Sequence, residues 1–199
     1  FRMAFTGSGL VEIPAGLFAN NTKCETFEQT FSKTKIKSIP ADVFKGCSSV
    51  NSFMSCFNGC SELESIPADL FKNSGAQGVV YGKRGAGMNM IFQGCSSLKE
   101  IPAGILDGFT RITALNSIFN GCSSLESIPS DLFKDAAAVT SFSSAFSGCT
   151  ALKSIPAGVF KGLAKVTSFA GVFQGCTGIT EIGDNLFEGC DANKNISNL

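Results

Sequence analysis

Along most of this chain the apolar positions fall into one phrase that repeats. From Leu125 the sequence runs L-E-S-I-P-S-D-L-F-K-D-A-A-A-V-T-S-F-S-S-A-F-S-G-C to Cys149, and Leu152 begins it again. Ile-Pro pairs mark the copies at Ile13, Ile39, Ile66, Ile101, Ile128 and Ile155, while Ile182 followed by Gly183 is a seventh, degraded copy. Successive spacings are 26, 27, 35, 27, 27 and 27 residues, so one copy carries extra length. A fixed period of this size is the mark of a solenoid, whose coils bury their apolar faces on one another rather than each on itself.

Within a coil four short pieces follow in order. Leu-x-Ser-Ile predicts a strand, ended by a proline that has no N–H to give to a ladder. Pro129 to Phe133 predicts a short helical turn with Asp131 near its positive end, and Gly46, Gly162 and Gly189 stand where such a turn would stop. Val139 to Phe142, β-branched and aromatic, predicts a second strand. Ser143 to Ser147 predicts another turn, closed by Gly148. Together these give an α/β solenoid of short parallel strands and short helical turns, about seven coils of 27 residues.

Stacking such coils draws the apolar residues into columns. One contains Phe5, Phe31, Phe57, Phe92, Phe119, Phe146 and Phe173; two others run from Phe18 to Phe187 and from Phe1 to Phe169. Ladders of rings at about 4.8 Å per coil, the spacing of paired strands, fit a core rather than a ligand platform. A single coil buries too little to offset its own backbone ordering, so neighbours must supply the difference.

Continuous repetition makes residues 1–199 one elongated domain. The phrase is cut at both ends and no polar cap is visible, which leads us to expect a piece of a longer array. Sixteen basic and sixteen acidic residues cancel, leaving no field to draw in nucleic acid or an anionic membrane. The apolar runs are too short to insert into a bilayer. The exposed strand position alternates in sign through Lys37, Glu64, Lys99, Glu126 and Lys153, so stacked strands place opposite charges side by side.

There is no histidine, which removes Ser-His and Cys-His nucleophile pairs and histidine-containing zinc sites. The nine cysteines cannot all pair within one chain. Cys60, Cys95, Cys122, Cys149 and Cys176 share a column whose parallel Cα–Cβ vectors suit neither disulfides nor a converging metal site, so reduced, buried thiols are expected. Cys24, Cys47 and Cys190 align with apolar residues and read as filler, and Cys56 lies four residues from Cys60, a poor spacing for a bridge. No cofactor is implied.

Only between Ser74 and Gly87 is the repeat suspended, with an insertion at about 76–85 that holds Tyr81, Lys83 and Arg84. Gly78 to Arg84 superficially resembles a phosphate loop, but its spacing is short and Arg84 stands where Ser or Thr should hold magnesium. A surface loop is the expectation, with Tyr81, Lys83 and Arg84 as a candidate partner contact. Asn20 and Asn195 open N-x-T and N-x-S sequons, which in a bacterial protein would be accidental.

The phrases F-Q-G-C-S-S-L-K-E-I-P from Phe92, F-N-G-C-S-S-L-E-S-I-P from Phe119 and F-S-G-C-T-A-L-K-S-I-P from Phe146 resemble the BspA-like leucine-rich repeats. Thr34 in place of the cysteine, Gly183 in place of the proline and the interrupted coil depart from that pattern. The resemblance implies a right-handed leucine-rich-repeat solenoid and a secreted or cell-surface protein, bacterial or protozoan, of a group several of whose members act in adhesion or host-protein binding. It carries no catalytic residues and no inherited binding site. The expectation is therefore a monomeric, non-enzymatic surface protein that binds a protein or glycan, a host-derived ligand among them. Lys99, Glu126 and Lys153 are the candidate contacts on its sheet face. The alternative is a passive spacer that holds another domain away from the cell.

Overall fold

The structure is a computed structural model that describes residues 1–72, 74 and 87–190. Successive copies of the phrase stack through backbone hydrogen bonds that join residues 25 to 36 positions apart, as in Met3 N–H to Glu28 O (2.9 Å) and Glu126 N–H to Lys99 O (3.1 Å). The largest fully buried side chains are all phenylalanines. In the Phe5 column the rings lie 5.5–5.7 Å apart from Phe5 through Phe173, with planes within 15° of parallel. That is wider than the 4.8 Å expected of strand spacing, as offset stacking of tilted rings requires.

The secondary structure departs from expectation in both its parts. Among the described residues there is no helix, so the α component of the expected α/β class is absent. The stretches expected to be helical are chains of tight turns. Leu132 N–H bonds Pro129 O (3.2 Å), Lys134 N–H bonds Asp131 O (3.1 Å) and Ala136 N–H bonds Phe133 O (3.0 Å), each spanning three residues. In the segment 142–149 the same device is fully visible. Amides of Ala145, Ser147 and Cys149 close turns on Phe142, Ser144 and Phe146, whereas those of Phe142, Ser144, Phe146 and Gly148 reach Ser168, Ala170, Val172 and Gln174 in the next copy.

The physical reason is a competition for amides. A helix would spend every N–H inside its own coil and leave the coil-to-coil direction without donors. Turns that use alternate amides satisfy both directions. Within the segment 142–149 the cost falls on two positions that take left-handed backbone, Ser144 (φ 56°) and Gly148 (φ 74°). Glycine suits the second of these, the third residue of a turn, because it bears no Cβ. An added Cβ on Gly148 would also lie 3.6 Å from the Gly121 Cα in the copy before.

Strand structure is sparser than expected. Among the described residues two strands are regular, β1 (Ser154–Ile155) and β2 (Glu181–Ile182), paired in parallel with Ser154 opposite Glu181 and Ile155 opposite Ile182. The second expected strand is reduced to single parallel bridges, Thr26–Ser52, Ala114–Ser141 and Ser141–Ser168. Proline explains why β1 and β2 stand out: the other copies place an N–H-less residue after Ile, but Gly183 donates to Ile155 O at 2.8 Å. The degraded copy thus completes the ladder that the intact ones interrupt. Gly183 also has no room for a side chain, since a Cβ there would overlap the backbone of Ala157.

Candidate binding faces

Lys37, Glu64, Lys99, Glu126 and Lys153 lie exposed on one wall, as the alternating pattern requires. Backbone bonds from Glu64 to Lys37 (3.0 Å), Glu126 to Lys99 (3.1 Å) and Lys153 to Glu126 (3.3 Å) bring them into a row. The Lys153 ammonium reaches the Glu126 carboxylate at 3.1 Å. Both side chains are more than half exposed, so the pair contributes little stability and its charges remain available to a partner. The other candidate contacts, Tyr81, Lys83 and Arg84, lie outside the described residues, as do the insertion at 76–85 and Asn195.

The cysteine column does more than fill space. Cys60, Cys95, Cys122, Cys149 and Cys176 each direct their sulfur to the carbonyl oxygen of a phenylalanine in the preceding copy, at 3.0–3.3 Å. Cys47 and Cys190 do likewise toward Phe18 and Phe160, at 3.4 and 3.2 Å. Each such thiol is a short donor fitted beneath a carbonyl that a turn has already half satisfied, a role that alignment with apolar residues does not reveal. Where Thr34 replaces cysteine, its hydroxyl takes the Phe31 carbonyl of its own copy at 2.8 Å and lies 3.4 Å from the Cys60 sulfur.

All nine cysteines are free thiols. Burial pushes Cys122 up to about 12, against an ordinary thiol value of 9.0. It pushes Cys47 up to about 11, with help from Cys24. Burial raises Cys56, Cys60, Cys95 and Cys190 as well. Neutral, enclosed thiols are poor nucleophiles and poor metal ligands. Among the described residues no three carboxylates or thiols gather into a metal-binding group. No helix of the described residues is long and apolar enough to cross a membrane.

A second wall, built from the turn segments, is chemically different. Asn58, Gln93 and Asn120 form a side-chain ladder: Asn58 Nδ2 donates to Gln93 Oε1 (2.8 Å), and Gln93 Nε2 donates to Asn120 Oδ1 (3.2 Å). Beside it Asn116 Oδ1 accepts from Ser141 Oγ (2.6 Å) and Ser143 N–H (3.1 Å), and Ser143 Oγ contacts Ser168 Oγ at 2.8 Å. An apolar hollow of about 720 Å³ opens at the last described copy, lined by Ile155, Phe173, Ile179, Ile182, Leu186 and Phe187. Among the described residues it is the place where the ring columns run out of neighbours, and Ile182 is 66% exposed beside it.

The BspA type leucine rich repeat region matches in six copies, over residues 3–99 and 88–194. No curated protein matches the chain. Among solved structures, a leucine-rich cell surface protein from Faecalibacterium prausnitzii is 19% identical, with 79% of this chain and 50% of that one covered and a TM-score of 0.33. A leucine-rich repeat protein from Eubacterium ventriosum is 20% identical, with 86% and 36% covered and a TM-score of 0.29. The chain thus spans half or less of the length of these two structures.

Proposed function

Since this chain belongs to the BspA-type leucine-rich repeat family, we propose that it is a secreted or cell-surface scaffold that binds a protein partner through its charged strand wall. On this reading residues 1–199 form one right-handed solenoid domain of about seven coils, acting without turnover. The observation that carries the proposal is the row Lys99, Glu126 and Lys153, exposed and held in register by backbone bonds from copy to copy. A rigid frame that sets charges at fixed intervals selects a partner of complementary pattern and loses little side-chain freedom in doing so.

The test is a binding screen of the purified chain against extracellular matrix proteins. The same screen is run on a variant with all three charges reversed (Lys99→Glu, Glu126→Lys, Lys153→Glu) and on one lacking Ala76 to Gly85. We expect a captured protein whose affinity drops about tenfold or more on reversal and weakens with salt. Capture unaffected by reversal but lost with the deletion would move the contact to Tyr81, Lys83 and Arg84. No capture at all would favour the spacer.

A further inference from the structure

Ionisable side chains other than cysteine are missing from every residue of the runs 51–61, 87–98, 112–125, 136–152 and 166–180. These runs are the turn segments of five successive copies, so a chain that is 16% charged presents, among its described residues, one wall with no formal charge across all five. The earlier copies do not share it, since Glu25, Glu28, Lys33 and Lys35 fall there. What the wall carries instead is hydrogen-bonding capacity, from the amides of Asn58, Gln93, Asn120 and Asn116 and the hydroxyls of Ser143 and Ser147.

The ladder leaves much of that capacity unspent. An amide offers two donors and two lone pairs. Gln93 gives one N–H to Asn120 and accepts one from Asn58, which leaves a donor and a lone pair; Asn120 keeps both of its N–H groups. The side chains are half-buried and already ordered by each other, so a ligand would not have to freeze them. Between the amides, Gly94, Gly121 and Gly148 add no side chain and leave bare backbone as a floor.

We propose that this wall binds an extended neutral glycan. A sugar chain matches it in three respects: it brings no charge to be left without a counterion, its hydroxyls donate and accept as amides do, and its C–H faces suit a bare glycine floor. A charged polymer or an acidic or basic protein face would lose its hydration with nothing to compensate. The inference rests on the reading of the chain as a binding scaffold but uses a different wall, so the two fail separately.

The experiment is calorimetric titration of the intact chain with three soluble uncharged polysaccharides, a β-glucan, a mannan and a xylan, with heparin as charged control. Gln93→Glu and Asn120→Asp place charge on the wall without changing side-chain size. Thr150→Lys does so from an exposed edge position, and retains the test should either ladder variant fail to fold. We expect at least one polysaccharide to bind with salt-independent affinity, to bind about tenfold or more weakly to each folded wall variant, and to be indifferent to reversal of Lys99, Glu126 and Lys153. Silence from all three polysaccharides, preference for heparin, or equal loss in the strand-wall variant would overturn the proposal.

Discussion

At Cys122 the sulfur sits 3.2 Å from the Phe92 carbonyl, inside a side-chain environment with no exposure to water. Cys122→Ala removes a donor and leaves a small void, and we expect a loss of about 1–3 kcal/mol in urea unfolding. Cys122→Thr should lose less, because Thr34 shows that a hydroxyl in this column still finds a phenylalanine carbonyl. The thiols also set a pH limit. Each raised thiol is neutral in the folded protein where the unfolded chain would ionise, so its contribution is whole below the ordinary value of 9.0 and is lost as pH rises toward the folded value, about 12 for Cys122. Melting temperature should hold steady from pH 6 to 8 and fall steeply above about pH 9, where folding free energy drops by up to about 1.4 kcal/mol per pH unit for each thiol. A flat profile to pH 11 would contradict the burial described here.

At the scale of the element, the turn segment depends on residues that accept left-handed backbone while giving their amides to the next copy. Ser144 does both, with φ 56° and an N–H bond to Ala170 O at 2.8 Å. Ser144→Gly should stabilise by up to about 1 kcal/mol, since the strain of a Cβ at that φ exceeds glycine's entropic cost. Ser144→Pro removes the N–H and demands φ near −65°, and should cost about 3 kcal/mol or more. Thermal melts of the two variants, moving in opposite directions, would check the assignment. These turns also mark where the sequence stopped being legible. The spacing of Pro129, Leu132 and Phe133 fits a helical turn as well as a chain of tight turns, because both bring residues three apart together. Only the demand of neighbouring copies for amides separates them, and that demand is not local. The phenylalanine and cysteine columns were legible because period alone fixes them. The donor role of the thiols was not, since cysteine at a buried position reads equally as a small apolar residue. A faint signal existed in Thr34, a hydroxyl tolerated where an apolar residue should sit. The alternating charges were legible as a row, but neither alternation nor spacing identifies a ligand, and the uncharged wall emerges only when the five runs are stacked.

For the whole molecule, the period is the unit that matters. Deleting residues 126–152 removes one repeat of 27 residues, the separation across which Lys153 meets Glu126, and joins Leu125 to Lys153 in phase. We expect that shortened chain to fold and melt cooperatively at a lower temperature. Deleting 126–139 instead puts the ring columns out of phase and should abolish the cooperative transition. Circular dichroism melts of the two would distinguish a stack governed by phase from one governed by local content. The directions of the backbone bonds add a last point. Around Ser144, four amides point to the later copy, but those of Thr140, Ala151 and Lys153 point to the earlier one. The peptide dipoles of the two walls therefore run against each other and offset one another in part. An α-helix aligns all its peptide dipoles and carries partial charges of about half a unit at its tips, whereas here each added copy brings opposed dipoles, so the ends gain less charge than they would if every amide pointed one way.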